Sequence, residues 1–264
     1  MTTLSTAVTY DDGSMREDLL DVLQNISPTE TQLVSGLATS SASAIRHETL
    51  MDTLQAAKVN AHYEGAAATF NSLTNPSRLY NYTQIFKQGF RVSGTERSIN
   101  AAVIGDRYQH ETTKALKVIK QDMEYAMMRG SMASGSGSDV IRQLRGLKLS
   151  LSLITSQSGI SMSEKIMNDL FQMVWDNTGI QVNAVYANMY IKRKISAFTA
   201  GATKNFSQDD KRLINAIDIY QADAASNVKL FPHRYVTVSG DTNYDFVAIN
   251  EDFFKTAYLR KPMV

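Results

Sequence analysis

At 264 residues, with 43% hydrophobic and 20% charged side chains, the chain is long enough to bury a substantial core in one or two domains, and globular, soluble behaviour is expected. Zero cysteines exclude disulfides and thiolate metal sites, so any bracing comes from packing, ion pairs or another kind of covalent bond. A formal net charge of +1 excludes bulk attraction to nucleic acid as the chain's main activity. Met1 to Tyr10 is polar, without a basic start followed by an apolar run, and no stretch approaches the roughly twenty apolar residues of a membrane span. The expectation is synthesis in the cytoplasm and no membrane partner.

Residues 1 to about 45 read as an arm. Met15 to Leu23 is expected as a short helix with Leu19, Leu20 and Leu23 on one side. A second helix starts at Ser27-Pro28, where Ser27 can cap it, Pro28 suits the first helical position and Glu30 can return a hydrogen bond. From Ser35 to Ser43 the residues are small and polar, too poor in bulk for a core of their own, so the segment is expected to lie on another surface.

Residues 46–97 read as a two-stranded excursion. Thr49, Met51 and Thr53 favour strand, as do the returning Tyr80, Tyr82, Ile85, Phe86, Phe90 and Val92. The tip, Ala56 to Asn75, is too long for a tight hairpin and too polar for a core strand. An isolated ribbon of this length is marginal in water and needs a partner surface.

The longest helical pattern follows, from Asn100 to about Arg129, near 45 Å at the standard rise. Leu116, Ile119, Met123 and Met127 recur at helical steps, whereas Lys114, Lys117 and Lys120 fall largely on other faces. Gly130 to Ser138 ends it; Gly135-Ser136-Gly137 lacks the spacing of a nucleotide loop and is expected to be a plain linker.

The second half is mixed. Ser161, Glu164 and Gly179 bracket a helix whose Ile166, Leu170 and Val174 face a core that should also take Trp175. A strand is expected at Val182 to Tyr186 and a short helix at Met189 to Phe198. Strands at Ile214 to Tyr220 and Val228 to Val238 are separated by a turn at Ala224 to Asn227. Val247-Ala248-Ile249 leads the chain back, and Asp252 to Lys255 forms a short turn or helix toward Tyr258.

Catalytic constellations are missing from this pattern. His47 and His110 are each followed by Glu, but neither begins a His-Glu-x-x-His helix; His62 and His233 stand alone, and each histidine is expected at a surface or interface. No serine sits in a Gly-x-Ser-x-Gly elbow, and Asp209-Asp210 before Lys211-Arg212 reads as a solvated run. No cofactor or metal is expected.

Asn25 to Thr31, His47-Glu48 with Asp52 and Leu54, Tyr82 to Phe86, Val92 to Thr95 and Tyr258-Leu259-Arg260, in this order, resemble the major capsid proteins of tailed bacteriophages with the Hong Kong ninety-seven shell fold. Gln32-Leu33 and Thr49 depart from the pattern, where the family often has Pro-Phe and Trp. Relatives usually run on through a closing strand beyond the point where this sequence stops, at Pro262-Met263-Val264.

The resemblance implies an α+β shell fold. Residues 1–45 would be the N-terminal arm, 46–97 an extended β-hairpin loop across the adjacent subunit, and 98–180 a peripheral domain with the long spine helix and a second helix. Residues 181–246 would form an α/β axial domain at the capsomer centre, and 247–264 the return to the peripheral domain. It implies self-assembly into hexamers and pentamers of an icosahedral or prolate head, with portal, scaffold and decoration proteins and non-specifically held packaged DNA as further partners.

Intersubunit contact candidates are Lys58, His62, Tyr63, Glu64 and Phe70 at the tip, Arg78, Tyr82, Lys87 and Arg91 on the returning limb, and Lys192, Arg193 and Lys194 on the short helix. Some relatives join a loop lysine to a neighbour's asparagine; Lys58 lies near that place, and no such cross-link is expected here. A tail or decoration protein, or a binding module with a long recognition hairpin, are the competing functional classes.

Overall fold

The computed structural model describes residues 31–68, 70, 72–73, 75–98, 106–135, 140–153, 161–198, 206–207, 212–213, 218–237 and 244–261. The helices expected at Met15 to Leu23 and from Ser27-Pro28, the first residues of the long helix and most of the strand at Ile214 to Tyr220 lie outside them. In chain order the elements are α1 (Gln32–Gly36), β1 (Ala38–Ser41), β2 (Arg46–Met51), β3 (Ser77–Tyr82), α2 (Gly94–Ser98), α3 (Arg107–Arg129), α4 (Leu147–Ser150), α5 (Glu164–Thr178), β4 (Ala184–Ala187) and α6 (Met189–Ser196). There follow β5 (Phe206–Ser207), β6 (Arg212–Leu213), β7 (Ile219–Ala222), β8 (Ala225–Pro232), β9 (Phe246–Ile249), a 3-10 turn (Glu251–Phe253) and β10 (Lys255–Tyr258). Helices and strands mix along the chain as an α+β arrangement.

The described residues fall into two compact units, 87–98 with 106–119 in one and 31–86 with 120–261 in the other. In the first, Ser93 caps α2 by accepting the Glu96 N–H at 3.1 Å, and Asp106 caps α3 by accepting the Tyr108 N–H at 2.9 Å. The described helix runs from Arg107 to Arg129, 23 residues and about 35 Å; the expected residues 100–105 lie outside the described ones. Residues 83–93 are irregular rather than strand. Phe90 packs on the Tyr108 ring at 5.3 Å, and the Arg97 guanidinium lies over that ring.

The second unit is built on a four-stranded sheet in the order β7-β8-β4-β9, with β4 parallel to β8 and antiparallel to β9. Every residue of β4 is buried, and its side chains alternate between two cores. Val185 and Ala187 join Met167, Phe171, Ile191 and Ile195; Ala184 and Tyr186 join Leu33, Met128, Leu147 and Val236. A strand covered on both faces carries no polar alternation, which is why Ala-Val-Tyr-Ala reads as uniformly apolar.

Helix α5 is capped two residues later than expected: Ser163, not Ser161, accepts the Ile166 N–H, and Gly179 ends the helix at φ +68°. The buried stripe is Met167 and Phe171, with Ile166, Leu170 and Val174 only half-buried. Trp175 therefore points out of the core and is 46% exposed. The turn between β7 and β8 falls at Asp223-Ala224, so Ala225 to Asn227 belong to β8, with Asn227 at φ +56° beside a register shift. The strand stops at Pro232, short of the expected Val238.

Residues 31–42 find their surface on the chain itself. Ala38 to Ser41 forms β1, parallel to β10, while Leu33 and Leu37 enter the core and Ala42 is buried. Small polar side chains do not hinder this pairing, because the ladder is made by the backbone. Beyond α3, Gly130 and Gly146 cross closely, the Gly146 N–H donating to the Gly130 carbonyl at 2.8 Å. A Cβ on either would meet backbone atoms, so this crossing requires glycine.

Candidate assembly surface

Strands β2 and β3 pair antiparallel from Arg46↔Tyr82 to Met51↔Ser77. Glu48 is held by Arg46 at 2.7 Å and Arg78 at 3.4 Å, and the Arg46 guanidinium lies over Tyr80 at 3.9 Å. At its root the hairpin is tied to the segment after α3: Asn81 Nδ2 donates to the Arg145 carbonyl at 3.2 Å, and Asn81 Oδ1 accepts the Arg145 N–H at 2.7 Å. The Leu144 N–H donates to Gln84 Oε1, and Arg142 Nε to the Thr83 carbonyl.

Beyond Met51 the two limbs separate into an irregular tip whose one described turn is at Glu64-Gly65, closed by the Ala66 N–H on the Tyr63 carbonyl with Gly65 at φ +80°. Leu54, Val59, Tyr63, Phe70 and Leu73 are each at least 93% exposed. The excursion is fixed at its root and leaves five nearly naked apolar side chains in water, each of which would gain about 1.5–3 kcal/mol if fully buried.

Lys58, His62, Tyr63, Glu64 and Phe70 all lie exposed on this tip, with His62 Nε2 hydrogen-bonded to Asn60 Oδ1 at 2.9 Å. Arg78 and Tyr82 lie on β3, with Tyr82 half-buried and edge-on to Tyr80. Lys87 and Arg91 are exposed in the first unit. On α6, Arg193 is exposed and Lys194 stands over Tyr190, whereas Lys192 is turned inward to Asp218 at 2.8 Å, the ammonium neutralised within the chain.

One polar centre escaped sequence reasoning. His233 is 4% exposed and Glu124 1%, so the expectation of a surface or interface histidine at 233 is corrected: it lies inside the subunit's core. Glu124 Oε1 accepts the Leu33 N–H at 2.8 Å and Oε2 the Val34 N–H at 2.9 Å, capping the free amides of α1. The Tyr235 N–H donates to His233 Nδ1, so Nε2 bears the proton and donates to Glu124 Oε1 at 2.8 Å. The available signal was position: Glu124 lies next to Met123 and one turn before Met128, inside the apolar stripe of α3.

Nearby, Tyr186 donates its hydroxyl to Glu251. Burial, then that hydrogen bond and the charges of Glu251 and Glu124, push its phenol well above the ordinary tyrosine range. These groups brace the core. Among the described residues no cluster of three or more histidines or carboxylates could hold a metal, and no helix is long and apolar enough to cross a membrane.

The family model described as SU10 major capsid protein matches residues 1–264. The chain belongs to that family. It is a major capsid protein, a structural subunit of a phage virion. A search of curated proteins found no match.

Proposed function

We propose that this capsid subunit adopts the Hong Kong ninety-seven shell architecture and closes into hexamers and pentamers of an icosahedral or prolate head around double-stranded DNA. Residues 46–97 act as the extended loop, 98–180 as the peripheral domain with α3 as its spine, 181–246 as the axial domain and 247–264 as the return. Residues 1–45 act as the N-terminal arm, of which 31–42 anchor on the subunit's own core. The observation that carries this reading is the hairpin tip, where Tyr63 and Phe70 are exposed at 93% and 96% on an excursion rooted by Asn81 and Arg142.

A contact repeated around every capsomer multiplies a small energy per copy. Lys58, His62, Glu64, Arg78, Tyr82, Lys87 and Arg91 would frame that contact, and Arg193 and Lys194 would belong to a second one, with Lys192 held by Asp218 behind them. The subunit works by geometry, without catalysis. Shell expansion on DNA entry would exchange weak first contacts for larger ones, two packings of one sequence. Portal, scaffold and decoration proteins are its further partners, DNA meets the inner face non-specifically, and synthesis takes place in the host cytoplasm.

Electron microscopy of the purified protein tests this. Closed shells or capsomers are expected; tubes or a stable monomer would contradict the closed hexamer-and-pentamer head proposed here.

A further inference from the structure

Two outward patches on α5 and α6 carry complementary chemistry. At the last turn of α5, Trp175 is 46% exposed and Asp176 stands exposed beside it. That turn holds no basic residue, so the Asp176 carboxylate lies unfavourably at the negative end of the helix dipole. On α6, Tyr190 stacks on Tyr244 with ring centroids 4.6 Å apart, both rings about half exposed, with Lys194 at 5.6 Å over Tyr190 and Arg193 exposed beside it.

We infer that the α6 patch of one subunit docks on Trp175 and Asp176 of a second copy. This rests on the capsid reading and adds a contact independent of the hairpin. Arg193 and Lys194 supply the cations that the end of α5 lacks, as partners for the Asp176 carboxylate and the Trp175 face. Stacked tyrosines, arginine and tryptophan are the residue types that concentrate binding energy at interfaces. The two patches are different surfaces, so the contact is head to tail, the kind that closes rings.

Packaged DNA is the weaker fit. Lys192 is neutralised by Asp218, leaving two outward cations on α6, too few for more than a shallow polyelectrolyte attraction.

Trp175 is the only tryptophan, so its emission reports this contact without any substitution. On assembly of the unmodified protein, emission is expected to move to shorter wavelength and acrylamide quenching to fall. R193E/K194E should raise the concentration needed for assembly about tenfold or more while circular dichroism stays unchanged, and adding D176K to that variant should reverse the loss. Shells that form with Trp175 still fully quenched would overturn the contact and leave the capsid reading standing. Normal assembly of R193E/K194E, no rescue by D176K, or an emission change that follows added DNA in the absence of assembly would each overturn it too. Failure of the unmodified protein to assemble at all would instead sink the capsid reading beneath it.

Discussion

The four-stranded sheet and the hairpin tip treat apolar side chains in opposite ways, although they belong to one compact unit and draw on the same residue types. Around β4, Phe171, Ile195, Val185 and Tyr186 are all but inaccessible, gathered from the successive elements α5, β4 and α6. Along residues 52–76, Leu54, Val59, Tyr63, Phe70 and Leu73 are held in water by a stem that is itself well fixed. Burial around the sheet is therefore separable from the apolar surface of the tip: the sheet sets whether the subunit folds, and the tip, exposed in the subunit, has little part in that decision.

The sharpest way to break this comparison is one substitution made in both places. Phe171→Ala should cost about 3–5 kcal/mol through lost burial and a cavity, whereas Phe70→Ala should change subunit stability by less than about 0.5 kcal/mol. Chemical denaturation of the unassembled variants measures both, and equal costs would erase the distinction.

Glu124→Ala removes the acceptor of the buried Leu33 amide and His233 and of the part-buried Val34 amide, and should cost about 3–5 kcal/mol. The loss should appear as a lower urea midpoint together with earlier protease cleavage near residues 31–42, the segment this carboxylate anchors. A melt matching that of the parent would show that β1 pairing and Leu33 burial suffice without it.

A smaller effect sharpens the sheet side alone. Unfolded, the Tyr186 phenol ionises near pH 10; folded, burial and Glu251 hold its proton to higher pH. Above about pH 10 the unfolded chain thus binds fewer protons than the folded one, so stability is full below that pH and falls as pH rises, by at most about 1.4 kcal/mol per pH unit for this group. Tyr220 and Tyr258 are shifted the same way, mainly by burial, and add to the slope. Denaturation between pH 9 and 11 should show Tyr186→Phe losing less stability than the parent across that range; parallel curves would contradict the assignment.

Local chemistry made part of this legible. The excursion was visible in Thr49, Met51, Tyr80 and Tyr82, and α3 in Leu116, Ile119, Met123 and Met127, because strand and helix periodicity are properties of neighbouring residues. The Gly179 stop of α5 was equally local. Pairing between distant segments left no such mark: Ala38 to Ser41 became a strand only because Lys255 to Tyr258 lies beside it. Trp175 was expected inside on hydrophobicity, yet the buried line of α5 runs through Met167 and Phe171, and two helical steps later the face has turned outward. That Tyr63 and Phe70 lie outside the subunit's core is legible in the length and polarity of the tip, which cannot form a core strand. His233 was misplaced because its partner Glu124 is 109 residues away.

The separation of folding from assembly is tested most directly by replacing the tip between Val59 and Asn75 with a short Gly-Ser bridge. The cut removes Tyr63, Phe70 and Leu73 but none of the buried cluster, and a shorter loop changes closure entropy only slightly. Circular dichroism and sedimentation of this variant should show a folded protein, melting close to the parent, that stays unassembled under conditions where the parent forms shells. An unfolded variant would place the tip in the subunit's own core, and normal shells would show that the tip is not the clasp between subunits.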